Sequence, residues 1–137
     1  MDEQNAVYQI SIKVLLKKEK EFLFLKNESG DKLDLPGGRI RESDKDIALE
    51  KILGREIKEE LGNIKYKLNK PAFYYRRFFK DFKVFIIVYE ADLMSMAIRL
   101  SREHSSYAWI NPEKYKFKPL EFFGKEEYLA FKKYFNK

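Results

Sequence analysis

Between residues 44 and 61 apolar side chains recur with the 3.6-residue period of an α-helix. Ala48, Leu49, Ile52, Leu53, Ile57 and Leu61 fall on one side, with Lys45, Glu50, Lys51 and Lys58 elsewhere. Glu60 breaks this pattern. It follows Leu53 by seven residues and Leu49 by eleven, so an ideal helix aims its carboxylate along the side that should meet the core. An unpaired charge in a low-dielectric interior is costly, so a chain built this way must give the acid a partner. Ser43, with Asp46 three residues on, is the expected N-cap of this helix, and Gly62 its stop.

The rest of the chain reads as strands around that helix. Residues 6–16 and 21–25 are rich in β-branched and apolar side chains and flank the polar stretch KKEK, which predicts a hairpin. A turn-rich loop over 27–32 leads to LDLPGG, where Pro36 and two glycines turn the chain sharply. Strands are expected over 65–68, 72–79 and 82–93, the last two joined at Lys80-Asp81. KVFIIVYEA, apolar on both faces, belongs in the centre of a sheet. Residues 94–106 form a polar connection and 107–110 a short strand. Residues 124–135 form an amphipathic helix carrying Tyr128, Leu129, Phe131 and Phe135, and Trp109 reads as a core residue. Strands on both sides of a helix, with a second helix at the end, predict an α/β (α+β) architecture with a mixed central sheet between helices.

Size and composition narrow the functions. The 137 residues fit one domain over 1–137, with roughly 70% of the unfolded chain's surface buried on folding. With 12 Phe and 9 Tyr the chain is too ring-rich for disorder. The absence of cysteine excludes disulfides, thiolate zinc sites and thiol nucleophiles, and suits a reducing cytoplasm. No leader-like start and no long apolar run is present, so a soluble cytoplasmic protein with no membrane partner is expected. The net charge of +6 would suit phosphate-bearing partners. Acids interrupt the lysines throughout, however, and no block of like charge resembles a nucleic-acid tail, so nucleic acid is a disfavoured partner that the charge leaves open. Monomer and homodimer are both compatible with this size.

Glu56, Glu59 and Glu60 occupy i, i+3 and i+4 near the helix C-terminus, where the macrodipole disfavours each negative charge by roughly 0.3–1 kcal/mol. Arg55 can pair with Glu59 at i+4 and offset part of this. Clustered carboxylates without Cys or a nearby His select a hard divalent ion, Mg²⁺ with Mn²⁺ as substitute. Read alone, EIKEE is equally compatible with an ordinary charged helix surface.

The wider context resembles the Nudix box, G-x5-E-x7-R-E-U-x-E-E-x-G-U with U a bulky aliphatic. The matches are Gly38, Arg55, Glu56, Ile57, Glu59, Glu60 and Gly62, preceded by Leu35-Pro36-Gly37. The front half departs from the pattern. Gly38 and Arg55 are 17 residues apart rather than 14, so Asp44 keeps the middle acid's distance from Gly38 while Ile47 keeps its distance from Arg55. A three-residue insertion explains both. Asn63 stands at the final U position, with Ile64 just behind it. The late EHSSYAW segment is similar to one in Nudix enzymes such as the dinucleoside tetraphosphate hydrolases, and the likeness covers roughly residues 6–135.

The resemblance implies a Nudix α/β/α sandwich. It also implies Mg²⁺-dependent hydrolysis of a diphosphate linkage in a nucleoside diphosphate joined to a group X, with a slight preference for dinucleoside polyphosphates or nucleoside triphosphates. Carried over position by position, it implies Glu56 and Glu60 as direct metal ligands, Glu59 as a third ligand or the base, and the Gly38 carbonyl as a further ligand. Arg55 would orient the acids. Glu103 would bind metal or act as base, or be a solvated loop acid, and His104, the only histidine, could take a proton or order its loop. Arg39, directly after the glycines, is a phosphate candidate. Tyr74 and Arg76 are candidates for stacking a base and meeting phosphate, against the alternative of core packing and a solvated edge. An isoprenoid diphosphate isomerase shares the fold, but its chemistry wants a cysteine. A noncatalytic Nudix-like nucleotide-sensing or RNA-binding domain is the alternative from another class.

Overall fold

The structure, a computed structural model, describes residues 3–95, 98 and 106–136. Among these residues seven strands form one mixed sheet. They are β1 (Gln9–Lys18), β2 (Glu21–Lys26), β3 (Leu33–Asp34), β4 (Gly37–Arg39), β5 (Tyr66–Phe78), β6 (Lys83–Leu93) and β7 (Ser106–Ile110). The main order is β3-β2-β1-β6-β5, with β4 on β1 and β7 on β2. β1 and β6 run parallel and the other pairs antiparallel. Residues 11–16 of β1 are buried without a break, as a central strand covered on both faces requires.

Strand alternation sends successive side chains to opposite faces, and each face meets one helix. On one face α1 (Leu49–Leu61) packs Ile52, Leu53, Ile57 and Leu61 against Ile12, Val14, Leu16 and Ala91. On the other, α2 (Lys125–Phe135) sets Phe131 against Phe24, Tyr75, Val88 and their neighbours. This is the expected sandwich, and KVFIIVYEA lies between β1 and β5 as its pattern predicts. No helix among the described residues is long and apolar enough to cross a membrane.

Three expectations need correction. The box helix begins at Leu49 rather than Asp44, and Ser43 does not cap it. Glu42–Asp44 is instead a turn of 3-10 helix in which Asp44 accepts the Arg41 N–H at 2.8 Å, and Ile47, Ala48 and Leu49 are exposed. The expected strands over 65–68 and 72–79 are one strand, β5. It absorbs Pro71 through register shifts near Leu68 and Phe73, which is possible because β5 is at the sheet edge, where a missing N–H is tolerated. Leu129 is exposed while Phe131 is buried, so the α2 apolar stripe is narrower than its composition suggests. Gly62 does stop α1, with φ 85° and its N–H donated to the Lys58 carbonyl.

Candidate active site at the Gly37-Gly38 turn

β4 pairs antiparallel with β1, placing Gly37 opposite Lys13, Gly38 opposite Ile12 and Arg39 opposite Ser11. A Cβ at Gly37 would lie 2.2 Å from the Ile12 carbonyl oxygen, and the residue's φ of 149° is one that side-chain-bearing residues rarely adopt. A Cβ at Gly38 would lie 2.5 Å from the Glu56 carboxyl carbon. The two glycines therefore let the backbone fit against β1 below and against the α1 acids above.

This geometry explains the inward acid. Glu60 is 6% exposed, and its Oε1 accepts the Gly37 N–H at 2.8 Å. Glu56, one turn earlier, is also buried and rests against Gly38. Burial first, and then the Glu59 charge, push the Glu56 carboxyl above its usual range, with Arg55 opposing them. Glu59 itself is exposed.

Arg55 does not pair with Glu59. It forks onto Asp44, with Nη1 to Oδ1 at 2.8 Å and Nη2 to Oδ2 at 3.0 Å, and its Nη2 reaches Glu56 at 3.4 Å. The Arg55 fork first, and the Arg41 N–H second, hold Asp44 at about 2. Asp44 is thus the acid facing Arg55, and Ile47, half exposed, is not part of the site. The three extra residues fall between Asp44 and α1.

Among the described residues no three acidic or imidazole side chains converge closely enough to hold an ion as a set. The groups that could hold one are Glu56 and Glu60, with the Gly38 carbonyl, which accepts the Ser11 hydroxyl at 3.1 Å and keeps a second lone pair. The donors are all oxygens, and Glu56 is a buried charge raised by burial and repulsion. Both features fit a hard divalent cation.

Beside Gly38 a cleft of about 150 Å³ opens on the α2 face of the sheet, lined by Ser11, Lys13, Arg39, Arg77, Phe79 and Ile86 among others. Arg39 is exposed, with its guanidinium 4.7 Å over the Phe82 ring. Arg77, the neighbour of Arg76 on β5, lines this cleft. It binds Asp34 at 2.9 Å and the buried Glu127 of α2 at 2.6 and 3.0 Å. Lys13 joins from β1, donating to Asp34 at 2.8 Å and to the Leu35 carbonyl at 3.2 Å. Burial pushes Asp34 up, but Lys13 and Arg77 together hold it well below the usual carboxylate range.

Arg76 and Tyr74 face the other way, and neither lines this cleft. Arg76 is engaged by Glu126 and the Tyr8 hydroxyl, and Tyr74, 67% exposed, stacks on Phe85 at 5.7 Å. Strand parity separates Arg76 from Arg77 in the sequence, but only the pairing register tells which of them enters the cleft. Glu103 and His104 lie outside the described residues.

The sequence matches the NUDIX domain over residues 7–131. No curated protein gives a significant match. Among solved structures, the chain is similar to a MutT protein from Methanosarcina mazei Go1, with 28% identity, a TM-score of 0.73 and coverage of 98% of this chain and 94% of that one. It is also similar to a UDP-X diphosphatase (13% identity, TM-score 0.70, coverage 98% and 66%). A third likeness is to an ADP-ribose pyrophosphatase from Streptococcus suis 89-1591 (14% identity, TM-score 0.62, coverage 84% and 82%). At identities this low the last two are likenesses of fold. The domain match runs through the sheet, the glycine turn and the acidic end of α1, and the chain belongs to the Nudix hydrolase family.

Proposed function

We propose that this protein is a Mg²⁺-dependent pyrophosphohydrolase, with Mn²⁺ as a substitute, that cleaves a phosphoric anhydride bond in a nucleoside diphosphate joined to a group X. One observation carries the reading: Glu56 and Glu60 are buried against Gly38 and Gly37, beside an Arg55 fixed by Asp44. A buried pair of acids on one helix face costs stability, and a hard divalent cation held between them would offset that cost.

Glu56, Glu60 and the Gly38 carbonyl would hold the metal, and Glu59 would serve as a third ligand or as the base. When bound, the ion neutralises the diphosphate and lowers the pKa of an attacking water. Arg55 orients Glu56. As base, Glu59 accepts the proton that water loses as its oxygen bonds to phosphorus and the bridging P–O bond breaks. Glu103 is the alternative base. Arg39 at the cleft mouth meets phosphate, while Lys13 and Arg77 behind it are paired with Asp34 and Glu127 and give the wall its shape. Dinucleoside polyphosphates and nucleoside triphosphates are the favoured substrates, on the strength of the EHSSYAW segment.

A Mg²⁺- or Mn²⁺-supplemented screen tests this, with nucleoside triphosphates, dinucleoside polyphosphates, nucleotide sugars and ADP-ribose as substrates, products weighed by mass and the reaction repeated in ¹⁸O water. Turnover of at least one substrate, abolished by chelation, is expected. The alternative of a noncatalytic nucleotide-sensing or RNA-binding domain draws on the acids not converging as a set. Metal-independent binding with no turnover would establish it instead.

A further inference from the structure

The lysines that look scattered along the sequence are collected by the fold. At the far end of β1, two adjoining hollows of about 320 and 240 Å³ share Pro112, Glu113 and Phe135. Lys17 and Lys20 of the β1–β2 hairpin line one hollow, and Lys114, Lys116 and Lys132 line the other. All five are exposed, and Glu113 is the one carboxylate among the described lining residues. The groove begins at Lys17, four residues and so about 13 Å along β1 from Lys13, where the Gly37 turn pairs.

The floor of this groove is aromatic. Phe117 stacks on Phe135 at 5.6 Å and 9°, and Phe22 packs on Phe135 at 5.1 Å, so one run of rings joins the two hollows. Tyr115 is 40% exposed and held in place, its edge on Phe117 and its hydroxyl donated to Glu121. Two of the cations sit over rings, Lys17 at 5.6 Å above Phe22 and Lys132 at 5.9 Å above Tyr128.

We infer that this groove binds single-stranded nucleic acid, with lysines along the backbone phosphates and an unstacked base on Tyr115. Five cations against Glu113 in the lining and Glu121 on the Tyr115 hydroxyl leave an excess of positive charge that selects a polyanion. Rings at the floor distinguish a strand whose bases are free to stack from a duplex, whose bases are buried, and from an acidic peptide, which has no base to offer. The groove is separate from the box, so the inference stands whether or not the box hydrolyses anything.

The test is fluorescence anisotropy of the full chain with a labelled 12-nucleotide oligouridylate in EDTA, which removes divalent-dependent turnover. The wild-type protein should bind with an affinity that falls as salt rises. K114E/K116E/K132E should weaken binding at least ~10-fold and flatten the log-log salt slope by about 2, at ~0.7 for each phosphate that is no longer neutralised. Tyr115→Ala should weaken oligouridylate binding at least ~5-fold while leaving inorganic polyphosphate binding unchanged, and Tyr115→Phe should restore it. Arg39→Ala, at the box, should leave binding intact. Circular dichroism and unaltered small-nucleotide turnover would show that the triple variant is folded. Full affinity in the triple variant, equal affinity for duplex RNA, or displacement of the strand by polyglutamate as readily as by RNA would each overturn the inference.

Discussion

Arg55 holds Asp44 across an eleven-residue gap with two hydrogen bonds of 2.8 and 3.0 Å, closing the segment that carries the three inserted residues. The 3-10 turn at Glu42–Asp44 is thereby tied to the guanidinium beside Glu56, on the second turn of α1. An insertion in this place lengthens the approach to the helix without displacing the acids.

This pairing sets an acid dependence. Asp44 lies at about 2 in the folded chain against its ordinary 3.8, so the pair's contribution is fully present above about pH 4 and fades as pH falls through 2. Asp44→Asn should therefore unfold at lower urea than the wild type at pH 6, and the gap should close toward pH 2. A gap that widened in acid would mean that Asp44 is not held by Arg55. Turnover of Asp44→Asn should also fall, because Arg55 loses its anchor.

The two glycines should respond differently to alanine. At Gly37 the added Cβ meets backbone, at 2.2 Å from the Ile12 oxygen, so Gly37→Ala should cost about 2 kcal/mol or more of folding stability. At Gly38 it meets the Glu56 carboxyl, whose side chain can swing aside. Gly38→Ala should keep most of its stability and lose at least ~100-fold in turnover. Equal thermal midpoints for the two variants would contradict this contrast.

Glu60→Gln should retain the Gly37 contact through the amide oxygen and so fold normally. Without the second carboxylate, turnover should fall by at least ~100-fold, comparable with removal of a key catalytic group. Chelation should abolish wild-type activity, and added Mg²⁺ or Mn²⁺ should restore it. Undiminished turnover in Glu60→Gln would move the chemistry off this helix.

Much of this was legible in the sequence because its signals are local. Period-3.6 spacing placed α1, the Gly62 stop and the inward Glu60, and the apolar run KVFIIVYEA announced a central strand. What the sequence left open depended on long-range choices. Spacing alone could not decide between Asp44 and Ile47, since the choice is made by a bond from Arg55 across the chain. Arg76 and Arg77 are adjacent and chemically identical, so nothing local marks which one meets Glu127. The helix start failed for a related reason: Ala48 and Leu49 fit the apolar stripe, but both are exposed at the N-terminal end of α1 and meet no core.

Arg77 is a buried bridge between the sheet and α2. It is 10% exposed at its side chain and shared by Asp34 and Glu127, so Arg77→Ala would leave the buried Glu127 without its bonded partner and the half-buried Asp34 with Lys13 alone. Breaking a buried pair in this way typically costs about 3–5 kcal/mol. Urea unfolding should show a loss of that size, and a loss below about 1 kcal/mol would mean that water already solvates the network.

Arg39 and Arg76 make the sharpest comparison for substrate binding. Arg39 stands at the mouth of the cleft with its guanidinium over Phe82, whereas Arg76 lies outside the cleft and is occupied by Glu126 of α2 and by Tyr8. Interactions made equally in the ground and transition states change KM and not kcat. Arg39→Ala should therefore raise KM for the substrate found in the nucleotide screen by roughly 10-fold, about the 1.4 kcal/mol of one charge-assisted phosphate contact, with kcat little changed. Arg76→Ala should leave both constants where they are. If Arg76→Ala raised KM and Arg39→Ala did not, the substrate would lie across the β5 edge with Tyr74, and the cleft beside Gly38 would have another occupant.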